Sequence, residues 1–334
     1  VGGAQLASWV SAGGNTVLVS GPVGIGKSTE CAHAAYSLRD ERIACHVPVD
    51  RLTNIRRLTA DELLQVIGGR LFQLAVGHLG FPADHPLSAS FPAHTLATGR
   101  DSFRASTPTA TRLLLDEVAR WSRQGRVALV IDGLEKLPEG PTALEIFDAL
   151  ASLPFDVDLI VVVPWHAVYG RSSDVVLRAG ERLFVIPPLE TRGEAGVAAA
   201  QFFGAMLAHR VLNPPHELPA DFQRLLGRAF IDSGGVPRTL LQIIADAATY
   251  ARVNRGDAWP NDDDIELALG EQRDSLRRLL APGDDLAIQQ ATGTDGRELE
   301  RERKIRLLAN GLLLERPTGQ GPRLDPHPLV PLAA

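Results

Sequence analysis

The sequence predicts an α/β protein: a parallel sheet with helices on both faces, then a helical segment, then further helices closed by a hairpin. Three observations lead there. Five short apolar runs (16–20, 43–49, 127–131, 159–163 and 183–186) alternate with stretches of helical periodicity, as expected of strands buried on both faces. Beyond Pro187-Pro188 nothing reads as strand until about residue 311. Two short extended runs then flank Thr318-Gly319-Gln320-Gly321. The predicted boundaries are 1–187, 188–256 and 257–334, with Arg255-Gly256-Asp257-Ala258-Trp259-Pro260 as the second linker.

In chain order, 5–12 reads as a short helix and Gly13-Gly14-Asn15 as a turn into the first strand. A glycine-rich loop follows, then an Ala-rich helix from Lys27 to about Leu38 and a second strand, which together make a βαβ unit. Leu63, Leu64, Ile67, Leu71 and Leu74 mark a helix over 59–76. From 77 to 108 periodicity is lost among Pro, Ser, Ala and His, which predicts a long excursion. Helix returns at 109–122. After the fifth strand the helices are 195–212, 221–232 and 237–253, the last with Pro237 in its first turn. The tail gives helices near 262–280, 284–291 and 297–309 and extended runs at 312–316 and 323–325. Three helices with a terminal hairpin predict a winged helix.

Composition narrows the function classes. With 334 residues, 45% of them apolar, the chain has ample material for a core, and no window is long and apolar enough for a membrane span. Lys and Arg total 34 against 40 Asp and Glu, a net charge of −6, so the global basic balance of a nucleic-acid binder is missing. Two cysteines, Cys31 and Cys45, cannot form a disulfide framework, and the expected compartment is the cytoplasm.

Gly21-Pro22-Val23-Gly24-Ile25-Gly26-Lys27-Ser28 satisfies the P-loop pattern between a strand and a helix. Glycines let backbone N–H groups turn inward toward an anion, and the following helix adds its positive end. Gly21, Val23, Gly24, Ile25, Gly26, Lys27, Ser28 and Thr29 are therefore the candidate nucleotide ligands, with Lys27 on the β- and γ-phosphates and the Ser28 hydroxyl on Mg²⁺. The strand 127–131 ends in Asp132, a Walker B carboxylate that would hold Mg²⁺ through its waters. Glu135 is the candidate for orienting or deprotonating the attacking water; the competing reading pairs it with Lys136 on a solvated surface. The chain has no Asn-Lys-x-Asp segment for guanine, which favours ATP and ADP.

These two motifs, with Ser233-Gly234-Gly235-Val236-Pro237-Arg238, resemble the AAA+ and STAND branches of P-loop ATPases. The resemblance implies that Pro237 packs near adenine and that Arg238 contacts the γ-phosphate as "sensor 2". It implies a sheet domain, a helical lid and a winged helix, as in origin-recognition-type ATPases and STAND regulators. It also implies ATP bound where sheet domain and lid meet, Mg²⁺ as cofactor, and homo-oligomers or a protein partner engaged through lid and winged helix. Departures are visible too. Asp132-Gly133-Leu134-Glu135 replaces the usual Asp-Glu pair, which implies slow hydrolysis. The fourth strand ends in Val163-Pro164-Trp165-His166, so only His166 is available as sensor 1, against the alternative of a packed histidine. Arg171, Arg178 and Arg182 lie where arginine fingers occur, or are solvated.

His78, His85 and His94 with Asp84 and Asp101 fit no compact metal spacing. The run 297–304 alternates charge as a solvated helix face does, and it is also the helix a winged domain offers to DNA. The cluster Asp262-Asp263-Asp264 opposes DNA, so a protein-facing winged helix is favoured. The expected function is an ATP-binding, slowly hydrolysing switch of STAND-like regulatory or defence type. The alternatives are a DNA-acting ATPase of replication or transposition and a non-hydrolysing nucleotide-bound scaffold.

Overall fold

A computed structural model describes residues 2–12, 16–91, 108–121, 125–154, 156–170, 182–211 and 218–332. The chain forms two compact units, Val1–Ser20 with Lys27–Ile186, and Gly21–Gly26 with Pro187–Ala334.

The first unit is built on strands β1 (Thr16–Ser20), β2 (Ile43–Pro48), β3 (Val127–Asp132), β4 (Asp158–Val162) and β5 (Arg182–Val185), all parallel, in the order β2-β3-β4-β1-β5. Helix α1 (Gly2–Ser11) packs with α2 (Lys27–Leu38), and the short α3 (Val49–Leu52) leads to α4 (Ala60–Leu79), which packs with α5 (Pro108–Trp121) and α6 (Pro141–Ala151). Parallel crossovers are right-handed, so α2, carrying the chain from β1 back to the β2 edge, covers one face. Helices α4, α5 and α6 step the other way, from β2 to β3 to β4, and cover the opposite face. Burial follows position: β3 and β4 are buried throughout, whereas β2, at an edge, alternates.

Thr59 and Glu62 close a capping box at the start of α4, which runs three residues past the predicted end to Leu79. Part of the excursion lies within the described residues. Pro86–Ser90 is a 3-10 turn, and Phe91 stacks on Phe72 at 6.4 Å between centroids; residues 92–107, like the Gly13–Asn15 turn, lie outside the described residues. Two helices go unassigned in the sequence: α6, which buries Ala143, Ile146, Phe147 and Leu150 on one face, and the short α7 (Trp165–Tyr169). At the head of β4, Asp158 is fully buried, its oxygens each 2.8 Å from Arg42 Nε and Arg126 Nη2.

In the second unit, α8 (Gly193–Val211), α9 (Ala220–Asp232), α10 (Pro237–Tyr250) and α11 (Asp262–Arg277) enclose a core that includes Phe203, Phe230, Leu240, Ile243, Ile265 and Leu269. The segment read as a linker is a fixed corner instead. Helix α10 passes into a π turn over Ala251–Arg255, Arg255 Nη1 lies 2.6 Å from buried Asp264 Oδ2, and Trp259 packs 5.0 Å from the ring of Phe222. Two of the acidic trio are engaged: Asp264 caps α11 with Asn261, and Asp262 pairs with Arg224 at 2.6 Å, while Asp263 is exposed.

Helices α12 (Asp284–Ala291) and α13 (Arg301–Ala309) and the antiparallel hairpin β6 (Leu313–Thr318) and β7 (Gly321–Pro326) complete the unit. Most of the charged run is exposed, as a solvated face would be, but only part of it is helix and Lys304 is buried. The helix begins at Arg301, Arg297 pairs with Asp295 at 2.6 Å, and buried Lys304 donates to the Asp295 carbonyl at 2.8 Å. Arg306 reaches buried Asp284 at 2.5 Å. Among the described residues no helix is long and apolar enough to cross a membrane.

Candidate functional site

In the first unit the chain reverses its direction of progress at β1, whose neighbours are β4 and β5; in open α/β sheets such a reversal leaves a ligand crevice beyond the carboxyl ends of the strands. The predicted residues of this unit sit at those ends. Lys27, 7% exposed, opens α2, with Ser28 and Thr29 exposed beside it in the same turn. Asp132 is the last residue of β3, buried, and its Oδ1 has no hydrogen-bond partner among the described residues. Glu135 lies in the 3-10 turn Leu134–Lys136 with Oε2 buried and also unpartnered there.

Burial pushes the Glu135 carboxyl above its ordinary range; Asp132 adds to the effect, while its own backbone hydrogen bond, Lys27 and Lys136 oppose it. Lys136 pairs with Asp50, and Glu135 itself is half-buried. Lys27, Asp132 and Glu135 all act on Cys31, whose thiol is pushed up chiefly by burial and then by the two carboxylates, with Lys27 opposing.

In the second unit the loop Gly21–Gly26 holds Gly24 at φ +85° and Gly26 at φ +101°, backbone that side chains disfavour. The Arg238 N–H donates to the Gly24 carbonyl at 3.2 Å, and a Cβ at Gly24 would lie 2.5 Å from Arg238 Cβ, so the loop and the first turn of α10 meet at a point only glycine allows. Ile25 is buried and Val23 is 54% exposed. Pro237 opens α10, and the exposed Arg238 guanidinium has no hydrogen bond or ion pair among the described residues. A cavity of about 160 Å³ is lined by Pro22, Val23, Arg238, Thr239, Gln242 and His327 among others; burial pushes His327 down to about 4, so it stays neutral.

The segment before Arg238 is pinned twice. Gly235 accepts from Leu189 N–H at 3.0 Å, and Arg316 of β6 donates to the carbonyls of Pro188 (3.0 Å) and Gly234 (3.1 Å). Nothing local in the sequence signals Arg316.

By chemical kind, the residues within each unit suit a magnesium-bound triphosphate. An anion needs inward backbone donors and a cation, and a hard cation needs oxygen ligands; the glycine loop, Lys27, Ser28 and the unpartnered Asp132 oxygen are of those kinds. Among the described residues there is no cluster of three or more His, Cys, Asp and Glu that could hold a metal by themselves. His94 and Asp101 lie outside the described residues, as do Arg171 and Arg178. Arg182 sits over the Trp9 ring at 5.4 Å, and buried His166 has Nε2 2.8 Å from the Leu137 carbonyl, a packed ring. His46, which carries no local motif, has its Nε2 3.9 Å from Asp132 Oδ2.

Residues 4–162 match the family model of the AAA ATPase domain, a span that runs from α1 to the end of β4. No curated protein matches the chain. Among solved structures, the Holliday junction branch migration motor RuvB of Thermotoga maritima is 13% identical with a TM-score of 0.41, covering 97% of this chain and 91% of that one. A lysine-to-arginine mutant of the same protein is 14% identical with a TM-score of 0.38, over 96% and 88%. A Drosophila ORC structure, bound to AT-rich DNA and Cdc6, is 12% identical with a TM-score of 0.33, over 98% and 90%.

Proposed function

We propose that this chain, with residues 4–162 matching an AAA ATPase domain, is a nucleotide-controlled switch that binds ATP or ADP with Mg²⁺, hydrolyses ATP slowly and regulates a partner, in the manner of STAND regulators. The observation that carries the reading is the contact of Arg238 with Gly24 of the phosphate loop, which leaves an exposed guanidinium without a partner among the described residues. A nucleotide shifts a conformational equilibrium only through contacts that differ between states, and a cation beside the loop supplies one that distinguishes a γ-phosphate from its absence. Gly21 and Val23 to Thr29 hold the phosphates, Ser28 and Asp132 hold Mg²⁺, Pro237 packs near adenine, and Mg²⁺ supplies charge neutralisation on the phosphates. In this reading residues 188–256 act as lid and 257–334 as winged helix, with α11 of the latter sharing the core of α8, α9 and α10. A protein partner is favoured over DNA, because Arg297, Arg306 and Arg323 are each ion-paired within the chain and so less available to phosphates.

In the Arg238→Ala variant we expect nucleotide to bind while the difference in radius of gyration or assembly between ATP and ADP disappears. X-ray scattering with each nucleotide checks this, and an undiminished difference removes the switch role of Arg238.

Glu135 acts on the attacking water in this reading, and only as the carboxylate. Since burial raises its pKa, turnover falls with decreasing pH earlier than an ordinary glutamate would impose. Glu135→Gln is expected to slow phosphate release by about 10²-fold or more with ATP still bound. A phosphate-release assay that finds the rate and its acid limb unaltered acquits the residue.

A further inference from the structure

His46 and Asp132 lie on adjacent strands. In the β2–β3 register His46 is opposite Val130 and Pro48 opposite Asp132, so with a period of two His46 and Asp132 point to the same face of the sheet. His46 Nε2 stands 3.9 Å from Asp132 Oδ2, beyond hydrogen-bond length, and is buried without a partner among the described residues, as is the other Asp132 oxygen, Oδ1. A buried ring nitrogen without a partner among the described residues thus faces Oδ2 of a carboxylate whose other oxygen, Oδ1, is unmet, across a gap about 1 Å longer than a hydrogen bond. Contacts of this kind are often long in the unliganded state and tighten when ligand arrives.

We propose that His46 is a positioning residue for Asp132: its Nε2–H donates to Asp132 Oδ2 when magnesium and nucleotide are bound, fixing the carboxylate rotamer so that Oδ1 serves the ion. This rests on the reading of Asp132 as the magnesium-bearing carboxylate. Outer-shell hydrogen bonds to metal-binding carboxylates govern metal affinity in this way, and their loss costs about 10- to 100-fold. Two features set the chemistry of the ring. Burial, with Arg70 and Arg51 nearby, favours the neutral imidazole, while Asp132 pulls the other way. The Arg70 guanidinium also donates to the His46 carbonyl at 3.4 Å, tying the backbone of β2 to α4. A neutral ring has one N–H to give, and donation to Asp132 requires it on Nε2.

The test is calorimetric titration of ATP into the full chain at a series of magnesium concentrations and in EDTA, for wild type, His46→Ala and His46→Gln. The expected result is that His46→Ala raises the magnesium concentration for half-maximal enhancement of ATP binding about tenfold, with EDTA affinity within about twofold of wild type. His46→Gln, which keeps a donor, recovers most of that shift. An unmoved magnesium midpoint in a folded His46→Ala protein overturns the assignment alone, and so does an equal loss of affinity in EDTA, which marks a merely structural role. In wild type, nitrogen-resolved NMR of the imidazole is expected to show the Nε2–H tautomer, with its proton moving downfield when magnesium and ADP are added together; a ring indifferent to them overturns the proposal even if both variants misfold. A wild-type chain that binds no ATP under any condition overturns the nucleotide reading itself, and the assignment with it.

Discussion

Lys27→Ala is expected to weaken ATP binding about a hundredfold or more, to the point where calorimetric titration at micromolar protein detects no heat of binding. Lys27 is 7% exposed at the first position of α2, so the charge-assisted hydrogen bonds that the proposed function gives it with phosphate oxygens would be partly shielded from solvent. Each such bond contributes about 1.5–3 kcal/mol, and an ammonium that engages two phosphates makes more than one. Removing it should also lower the pull that opposes the rise in the Glu135 pKa, so that carboxyl moves further up. Fold is expected to survive, because the helix keeps its buried Cys31, Ala34 and Leu38. Retained affinity in a well-folded Lys27→Ala protein counts against the whole nucleotide scheme.

The largest effect on stability is expected at Gly235. Its φ is +77°, and a Cβ there would fall 2.0 Å from the Leu189 carbonyl oxygen, a backbone atom that cannot swing aside as a side chain can. Gly235→Ala therefore combines a left-handed residue, about 1–3 kcal/mol, with an overlap costing about 1–3 kcal/mol. A total of about 3 kcal/mol or more should lower the melting temperature by roughly 10 °C for a unit of this size. The same change moves the start of α10, so nucleotide discrimination should suffer alongside. An unchanged melting curve would mean that the Leu189 segment yields freely.

The order of strand, glycine loop, helix and strand was legible because each piece is contiguous: the P-loop pattern spans eight consecutive residues, and β1, β3 and β4 are apolar runs with buried side chains on both faces. What escaped was tertiary. The approach of His46 to Asp132 exists only because β2 pairs with β3, which no local pattern encodes. Asp158 reads as a loop residue before a strand and is instead fully buried, since two arginines from other elements take its oxygens. The corner at 255–260 has the Gly, Pro and charge of a linker; Arg255 and Trp259 find partners in α11 and α9, and composition cannot report that. Similarly the alternating charges of 297–304 read as helix throughout, yet the helix starts only at Arg301, and the burial of Lys304, whose ammonium finds the Asp295 carbonyl upstream of that start, leaves no local trace.

The fastening by Arg316 has a kinetic corollary. One guanidinium on β6 bonds the carbonyls of Pro188 and Gly234, and its Nε lies 3.3 Å from Asp325 on β7. Three stretches far apart in the chain thus share a single anchor, and local opening that frees one should free all of them. Backbone amides of 187–190, 233–236 and the β6–β7 ribbon are then expected to exchange with deuterium as one cooperative block, with a common opening free energy that falls together when Arg316 is truncated.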